Sequence, residues 1–169
     1  MKSFALSILL SVLAMFGVSC SKKYRTMPTS SMEPTIKAGE VVCVDFSAYR
    51  SIAPKRWDVV LFEAPIKDGG EWAKRVVGLP GETVDFKNGK MMINGFPMPI
   101  PSRLSLLPYT PPISDRSLKS VTGVSEITYP YAIGANQYFV IGDNVENSLD
   151  SRYFGAVKGV KILGRVIDK

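Results

Sequence analysis

Short apolar runs separated by polar turn residues recur along most of this chain, and the first 20 residues are the exception. The runs are rich in Val, Ile, Phe and Tyr, and Gly, Pro or Asn stands between them, which is typical of strands joined by turns. After residue 20 no long segment has the 3.6-residue period of a helix. The pattern predicts a mostly β protein, with strands at 41–46, 58–62, 74–78, 83–86, 90–93, 138–141 and 160–167.

Two Asn-Gly pairs predict tight turns. Asn88-Gly89 stands between the predicted strands 83–86 and 90–93, and both residues tolerate positive φ, so this pair is a strong hairpin signal. Asn94-Gly95 marks a second turn directly afterwards. These pairs predict antiparallel neighbours in the middle of the chain.

A proline-rich stretch follows and predicts an insertion at about 97–131. Proline has no N–H to donate to a sheet, so this stretch is expected to be irregular or to lie at an edge. Its apolar residues, among them Met98 and Leu104, either face lipid or pack back onto the strands.

Residues 1–20 are predicted to be a targeting segment. Lys2 precedes an apolar stretch at 4–18, which is short for a membrane span of about 20 residues. The stretch ends in small residues before Cys20, as in a bacterial lipoprotein cleavage site. Three alternatives fit this segment. We favour a signal peptide with lipidation at Cys20 over a retained membrane anchor, and we place an ordinary secretory leader third. The basic residues Lys22 and Lys23 would oppose the positive-inside tendency if the segment were retained.

The charge balance indicates an anionic partner surface. The chain has 21 Lys and Arg against 15 Asp and Glu, a net charge of +6, which favours membrane lipid. No basic cluster with interleaved aromatic residues occurs, so nucleic acid is not an expected partner.

With only two cysteines, neither a disulfide framework nor a zinc spacing is present. Cys43 is expected to be a small buried residue on a strand.

The absence of histidine limits the chemistry that a nucleophilic serine can use. Ser31 lies in Thr-Ser-Ser-Met-Glu-Pro-Thr, and its base would have to be a group other than imidazole. A desolvated lysine is the natural choice, because burial disfavours the ammonium form. Lys74 opens an apolar strand, whereas Arg75 should point to the opposite face and does not deprotonate in proteins. The sequence therefore suggests a Ser-Lys dyad of Ser31 and Lys74.

Three sequence boxes together resemble the bacterial type I signal peptidases, membrane-bound serine proteases that cut signal peptides from exported proteins. The boxes are Ser-Met-Glu-Pro-Thr-Ile from Ser31, Lys-Arg-Val-Val-Gly-Leu-Pro-Gly from Lys74, and Gly-Asp-Asn from Gly142 with Ser-Leu-Asp-Ser-Arg from Ser148. The resemblance implies a signal-peptidase-like β-barrel of coiled antiparallel sheets behind an N-terminal hydrophobic leader or anchor. The catalytic domain would occupy 24–169.

The resemblance also implies roles around the dyad. An oxyanion would be bound by the Ser31 amide and the Thr29 hydroxyl, and Ser148 would hydrogen-bond the lysine amine. Asp150 and Arg152 would form a charge pair that holds the shape of the site. The supporting residues implied in this way are Thr29, Ser148, Asp143, Asp150 and Arg152.

The implied activity is removal of signal peptides after small residues in an Ala-x-Ala pattern, without a metal or cofactor. The enzyme would be a monomer on the outer, periplasmic side of the bacterial cell membrane, with signal peptides and membrane lipid as partners. A pilus or conjugation maturation peptidase would share every box, and a self-cleaving repressor would share the dyad. A non-catalytic surface lipoprotein that binds a partner is the alternative outside the enzymes. The presence of both Ser31 and Lys74 favours catalysis.

Overall fold

The computed structural model describes residues 21–66, 69–104 and 127–167. The predicted leader with Cys20, and residues 105–126 of the predicted insertion, lie outside the described residues. Within the described ranges, no helix has both the length and the apolar character needed to cross a bilayer.

Strands dominate the described chain, as the sequence predicts. One short helix, α1 (Ser151–Phe154), follows the ninth strand. The strands are β1 (Lys22–Met27), β2 (Glu40–Asp45), β3 (Val59–Glu63), β4 (Glu71–Gly78), β5 (Thr83–Lys87), β6 (Lys90–Ile93), β7 (Phe96–Pro97), β8 (Tyr131–Ala132), β9 (Gln137–Ile141), β10 (Val157–Lys158) and β11 (Ile162–Ile167).

The strands form two antiparallel sheets. The larger sheet has the order β1-β2-β11-β3-β4-β9-β10, and the smaller has the order β7-β6-β5-β8. Both predicted turns are two-residue hairpin loops in the smaller sheet, with positive φ at Asn88, Gly89, Asn94 and Gly95.

Strand β4 lies between separate apolar clusters because its side chains alternate between two faces. Trp72 and Val76 pack with the cluster that contains Phe62, whereas Ala73 packs with the cluster that contains Leu61. Lys74 therefore emerges on the Trp72 face of a strand that is buried along most of its length.

Several local predictions differ from the structure. Strand β4 begins at Glu71, three residues before the predicted strand 74–78, and the short strands β7, β8 and β10 were not predicted. The predicted strand 160–167 begins at Ile162, because a 3₁₀ turn, Gly159–Lys161, interrupts it after β10. Cys43 lies on β2 but is only partly buried. Strand β1 was not expected, because its sequence Lys-Lys-Tyr-Arg-Thr-Met is mostly polar; it forms by pairing with β2 along all six residues.

In the described part of the insertion, Met98 and Leu104 pack inward, whereas Ile100 is exposed. Met98 and Leu104 are each 6% exposed, and Met98 joins the core cluster that contains Val77. Leu104 belongs to a short 3₁₀ turn, Ser102–Leu104. These two residues therefore do not form a lipid-facing surface.

Candidate active site

Ser31 is held in a 3₁₀ turn, Ser30–Met32, that directly follows the extended residue Thr29. Two hydrogen bonds from Asn144 connect this turn to the loop after β9. The Asn144 backbone N–H donates to the Ser31 carbonyl at 3.1 Å, and its side-chain amide donates to the Ser30 carbonyl at 3.1 Å. The position of Ser31 thus depends on a contact that spans more than 100 residues of chain.

Lys74 and Ser31 are in direct contact. The Lys74 Nζ lies 2.7 Å from the Ser31 Oγ, in a buried hydrogen bond between β4 and the turn. The Thr29 Oγ1 lies 3.1 Å from the same Ser31 oxygen. Three side chains that the sequence analysis selected therefore meet at one oxygen atom.

The environment of Lys74 favours the neutral amine. Only 4% of the side chain is exposed, and the ammonium group forms no salt bridge with any carboxylate in the described ranges. Burial lowers the pKa of Lys74 to about 8, although the charges of Asp150 and Asp143 oppose this shift. At mildly alkaline pH a large fraction of Lys74 can therefore accept a proton.

The neighbouring Arg75 is buried on the opposite face and is fully engaged in contacts. Its Nε donates to Asp143 Oδ1 at 2.8 Å and its Nη2 donates to Asp143 Oδ2 at 2.5 Å. Thr35 donates to the same carboxylate, and Arg75 also donates to the Trp57 carbonyl at 2.8 Å. Asp143, one of the supporting residues that the resemblance implies, is thus held by Arg75 and Thr35.

Asp150 and Arg152 form the ion pair that the resemblance implies. The Arg152 Nε donates to Asp150 Oδ1 at 2.8 Å, and both side chains are almost completely buried. Asp150 also caps α1 by accepting from the Arg152 backbone N–H, and it accepts from the Gly142 N–H at 3.0 Å. One carboxylate therefore fixes both the start of α1 and the end of β9.

Ser148 does not make the predicted hydrogen bond to Lys74. Its Oγ is buried and has no hydrogen-bond partner in the part of the chain that the structure describes. The Lys74 Nζ donates to Ser31 instead. Ser148 lies against Gly142, where an added Cβ would be 2.2 Å from the Ser148 Oγ and 2.5 Å from the Ser31 carbonyl oxygen.

A groove with a volume of about 440 Å³ opens onto the dyad. One wall is the segment from Met27 to Thr29, and the opposite wall is the first half of β4. Strand β4 pairs with β3 from Glu71 to Arg75 but meets β9 only from Arg75 onward. The edge of β4 at 71–74 that faces away from β3 is therefore unpaired by any strand in the described ranges.

The arrangement can carry out nucleophilic acyl chemistry. It provides a hydroxyl, a buried amine within hydrogen-bonding distance, a second hydroxyl beside the first, and an open groove. Sequence reasoning missed the roles of Gly142, Asn144 and the Arg75–Asp143 pair. The Gly-Asp-Asn run was the available signal, but its partners could not be identified from sequence because they lie far away along the chain.

Comparison with known proteins identifies the family. The family model "Signal peptidase, peptidase S26" matches residues 1–167. The chain belongs to this family. It is therefore a serine endopeptidase, and the antiparallel β fold predicted from the resemblance is confirmed.

Individual members of the signal peptidase family cover most of the chain. The signal peptidase I V of Bacillus subtilis (strain 168) is 36% identical over 145 residues, which are 82% of this chain and 79% of that protein. The signal peptidase I of Bacillus caldolyticus is 35% identical over 136 residues, 80% of this chain and 72% of that protein. The crystal structure of a signal peptidase I from Enterococcus faecalis V583 is 33% identical, with a TM-score of 0.51, and covers 68% of this chain and 97% of that one.

Proposed function

We propose that this peptidase removes N-terminal signal peptides from exported preproteins, with Ser31 as the nucleophile and Lys74 as the general base. The observation that carries the proposal is the buried contact of 2.7 Å between the Lys74 Nζ and the Ser31 Oγ at the groove. The similar Bacillus proteins are named signal peptidase I, which supports the choice of substrate.

Acylation begins with neutral Lys74. Its amine takes the proton of the Ser31 hydroxyl while the Oγ attacks the carbonyl carbon before the scissile bond. The resulting Lys74 ammonium then gives that proton to the leaving amine, so that the bond breaks and an ester on Ser31 remains. The neutral amine next activates water, which hydrolyses the ester and restores the Ser31 hydroxyl.

The developing negative oxygen needs preorganised donors. The Ser31 backbone N–H and the Thr29 hydroxyl are proposed for this role, and the Thr29 Oγ1 already lies 3.1 Å from the Ser31 Oγ. Ser148 is proposed as a positioning residue: its buried hydroxyl has no partner in the described chain and could accept a hydrogen bond from the Lys74 ammonium after Ser31 is acylated.

The substrate is proposed to bind as an added strand. An extended peptide can pair with the open edge of β4 at 71–74, and main-chain hydrogen bonds then hold it without regard to sequence. The floor of the groove near Ser31 contains Met27, Met32 and Ala73, all buried members of one core cluster. A large side chain would have to displace packed core atoms, which supports the Ala-x-Ala preference for small residues.

The proposed location is the outer face of the bacterial cell membrane, with the catalytic domain at 24–169 tethered through residues 1–20. Strand β1 starts at Lys22 and leads through Met27 to Ser31, so the tether continues directly into one wall of the groove. Lipidation at Cys20, or retention of the segment as an anchor, would keep the site beside the membrane, where a signal peptide presents its cleavage point. Mass spectrometry of the mature N-terminus distinguishes the two: an intact Met1 excludes lipidation.

Cleavage of a preprotein with an Ala-x-Ala site tests the function. The leaderless wild type, Ser31→Ala and Lys74→Ala are incubated with it in detergent at mildly alkaline pH. We expect the wild type alone to cut after the final Ala, as measured by mass spectrometry of both products.

A second readout separates enzyme from binding module. A serine-directed acylating inhibitor that does not require histidine should form an adduct on Ser31 in the wild type. Adduct formation without cleavage of exported preproteins would favour a specialised substrate such as a pilus or conjugation precursor. Absence of both would favour a non-catalytic lipoprotein.

A further inference from the structure

The ring of Trp72 lies beside the amine of Lys74. The two residues are two positions apart on β4, so their side chains share one face of the strand. The Lys74 Nζ lies over the Trp72 ring, 5.6 Å from its centroid, which is within the range of a cation–π contact. The ring also packs against Phe154 of α1, with 6.2 Å between the ring centroids, and this contact restrains its position. The face of the ring is therefore held toward the amine.

The ammonium form of Lys74 needs stabilisation once Ser31 is acylated. In the free protein the Lys74 Nζ donates to the Ser31 Oγ, but that oxygen becomes part of an ester and is then a weaker acceptor. Among the residues that the structure describes, Lys74 has no carboxylate in salt-bridge contact. The face of an indole ring carries partial negative charge. Trp72 thus offers the ammonium an electrostatic partner beside the hydroxyl proposed at Ser148.

Three charged groups act on Lys74 from neighbouring segments. Asp150 and Asp143 favour its ammonium form, whereas Arg152 disfavours it. Each carboxylate is already engaged with a guanidinium, Asp150 with Arg152 and Asp143 with Arg75. Their attraction for the ammonium is therefore partly cancelled, and the nearby Trp72 ring is not offset in this way.

We propose that Trp72 is a positioning residue that stabilises the ammonium form of Lys74 through the face of its ring, as a carboxylate stabilises the imidazolium of a histidine base. The proposal rests on the proposed function, in which Lys74 carries the proton between Ser31 and the leaving amine. The ring acts against the desolvation of the buried ammonium. Loss of negative charge on the ring face should therefore make Lys74 lose its proton at a lower pH.

Fluorinated tryptophan tests the charge of the ring while nearly keeping its shape. Fluorine withdraws electron density from the ring face and so weakens its attraction for a cation. The full chain in detergent receives difluorotryptophan or tetrafluorotryptophan in place of Trp72. The pKa of Lys74 is measured from the carbon NMR shift of its Cε, and the midpoint of the kcat/KM profile is measured with the Ala-x-Ala preprotein. We expect tetrafluorotryptophan to lower both by about half a unit to one unit, and difluorotryptophan to lower them by less.

Trp57 provides the matched control, because it is the other tryptophan of the chain and packs with the separate cluster that contains Val77. Tetrafluorotryptophan in place of Trp57 should leave the Lys74 pKa and the profile midpoint unchanged. An unchanged pKa with tetrafluorotryptophan in place of Trp72 would mean that the ring only packs, and a raised pKa would mean that it mainly excludes water. Either result would overturn the proposal. If the wild type cuts no preprotein at any pH, the proposed function fails, and the NMR titration still decides whether the ring stabilises the ammonium.

Discussion

The two faces of β4 hold buried basic side chains with different partners. Lys74 and Arg75 are neighbours in sequence, and each is 4% exposed. Arg75 faces Asp143, which it binds through two hydrogen bonds, whereas Lys74 faces a serine hydroxyl and forms no salt bridge with a described carboxylate. The first arrangement holds the charge, and the second makes the proton easier to lose.

The difference shows that burial alone does not decide how easily a basic side chain loses its proton. A buried cation with a bidentate carboxylate keeps its charge and stabilises structure, because the Coulomb attraction offsets desolvation. A buried cation without a contacting carboxylate loses its proton more easily, and burial lowers the pKa of Lys74 to about 8. The Arg75–Asp143 pair adjoins the Ser31 turn, since Asp143 precedes Asn144, which donates to the Ser31 and Ser30 carbonyls.

The largest effect is expected from Lys74→Arg, which would make both faces of β4 permanently cationic. A guanidinium cannot accept the Ser31 proton, so kcat/KM on the Ala-x-Ala preprotein should fall about 10⁴-fold, as far as in Lys74→Ala. Lys161→Gln, which removes an exposed ion pair with Glu63, is the control and should stay near wild type. More than a tenth of the wild-type activity in Lys74→Arg would contradict the role of Lys74 as base.

Asp143→Asn should make the Arg75 face resemble the Lys74 face by leaving a buried cation without a neutralising charge. We expect the free energy of unfolding to fall by about 3–5 kcal/mol, measured by urea denaturation. Lys161→Gln is again the control. Its free energy of unfolding should fall by at most about 1 kcal/mol, because the Lys161–Glu63 ion pair is exposed. Equal losses in the two variants would mean that the Arg75–Asp143 pair does not differ in energy from a surface pair.

Thr29→Val separates charge stabilisation on the substrate oxygen from proton transfer by Lys74. Loss of the hydroxyl should cost about 2.7–4 kcal/mol of transition-state stabilisation, seen as a lower kcat, by comparison with removal of one oxyanion donor elsewhere. Thr29→Ser keeps the hydroxyl and should retain most of the activity. Wild-type turnover in Thr29→Val would remove this residue from the mechanism.

The pH profile should show the smallest effect of the four predictions, but it reports most directly on the environment of Lys74. In the proposed mechanism the reactive form is the neutral amine, and the Lys74 pKa is lowered to about 8. The value of kcat/KM should therefore rise about tenfold between pH 7 and a plateau above pH 8. The rate of Ser31 acylation by the inhibitor should follow the same curve. A plateau that is already reached at pH 6 would show that a different group limits the reaction.

Much of the fold could be predicted because its signals are local. Both Asn-Gly hairpins form as predicted, since the positive φ that such turns require is a property of the turn residues themselves. The polar strand β1 could not be predicted, because pairing with β2 rather than an apolar pattern stabilises it.

The site was predictable to a lesser degree. Ser31 and Lys74 were selected from the sequence and Thr29 was implied by the resemblance, and the structure brings the three together at one oxygen atom. The predicted hydrogen bond between Ser148 and Lys74 is absent from this structure, because the Lys74 Nζ donates to the Ser31 Oγ instead. The contacts that shape the site depend on which distant segments become neighbours.

The sequence by itself determined the apolar strands, the two hairpin turns and the absence of an imidazole base, because backbone preferences and side-chain chemistry are local properties. Only the tertiary structure decided which buried cation has a carboxylate partner and which does not. Lys74 and Arg75 differ by one position along β4. The side chains that they face come from the Ser31 turn and from the loop after β9, many residues away. Charge and pKa depend on distance in space, and the order of residues along the chain does not specify that distance.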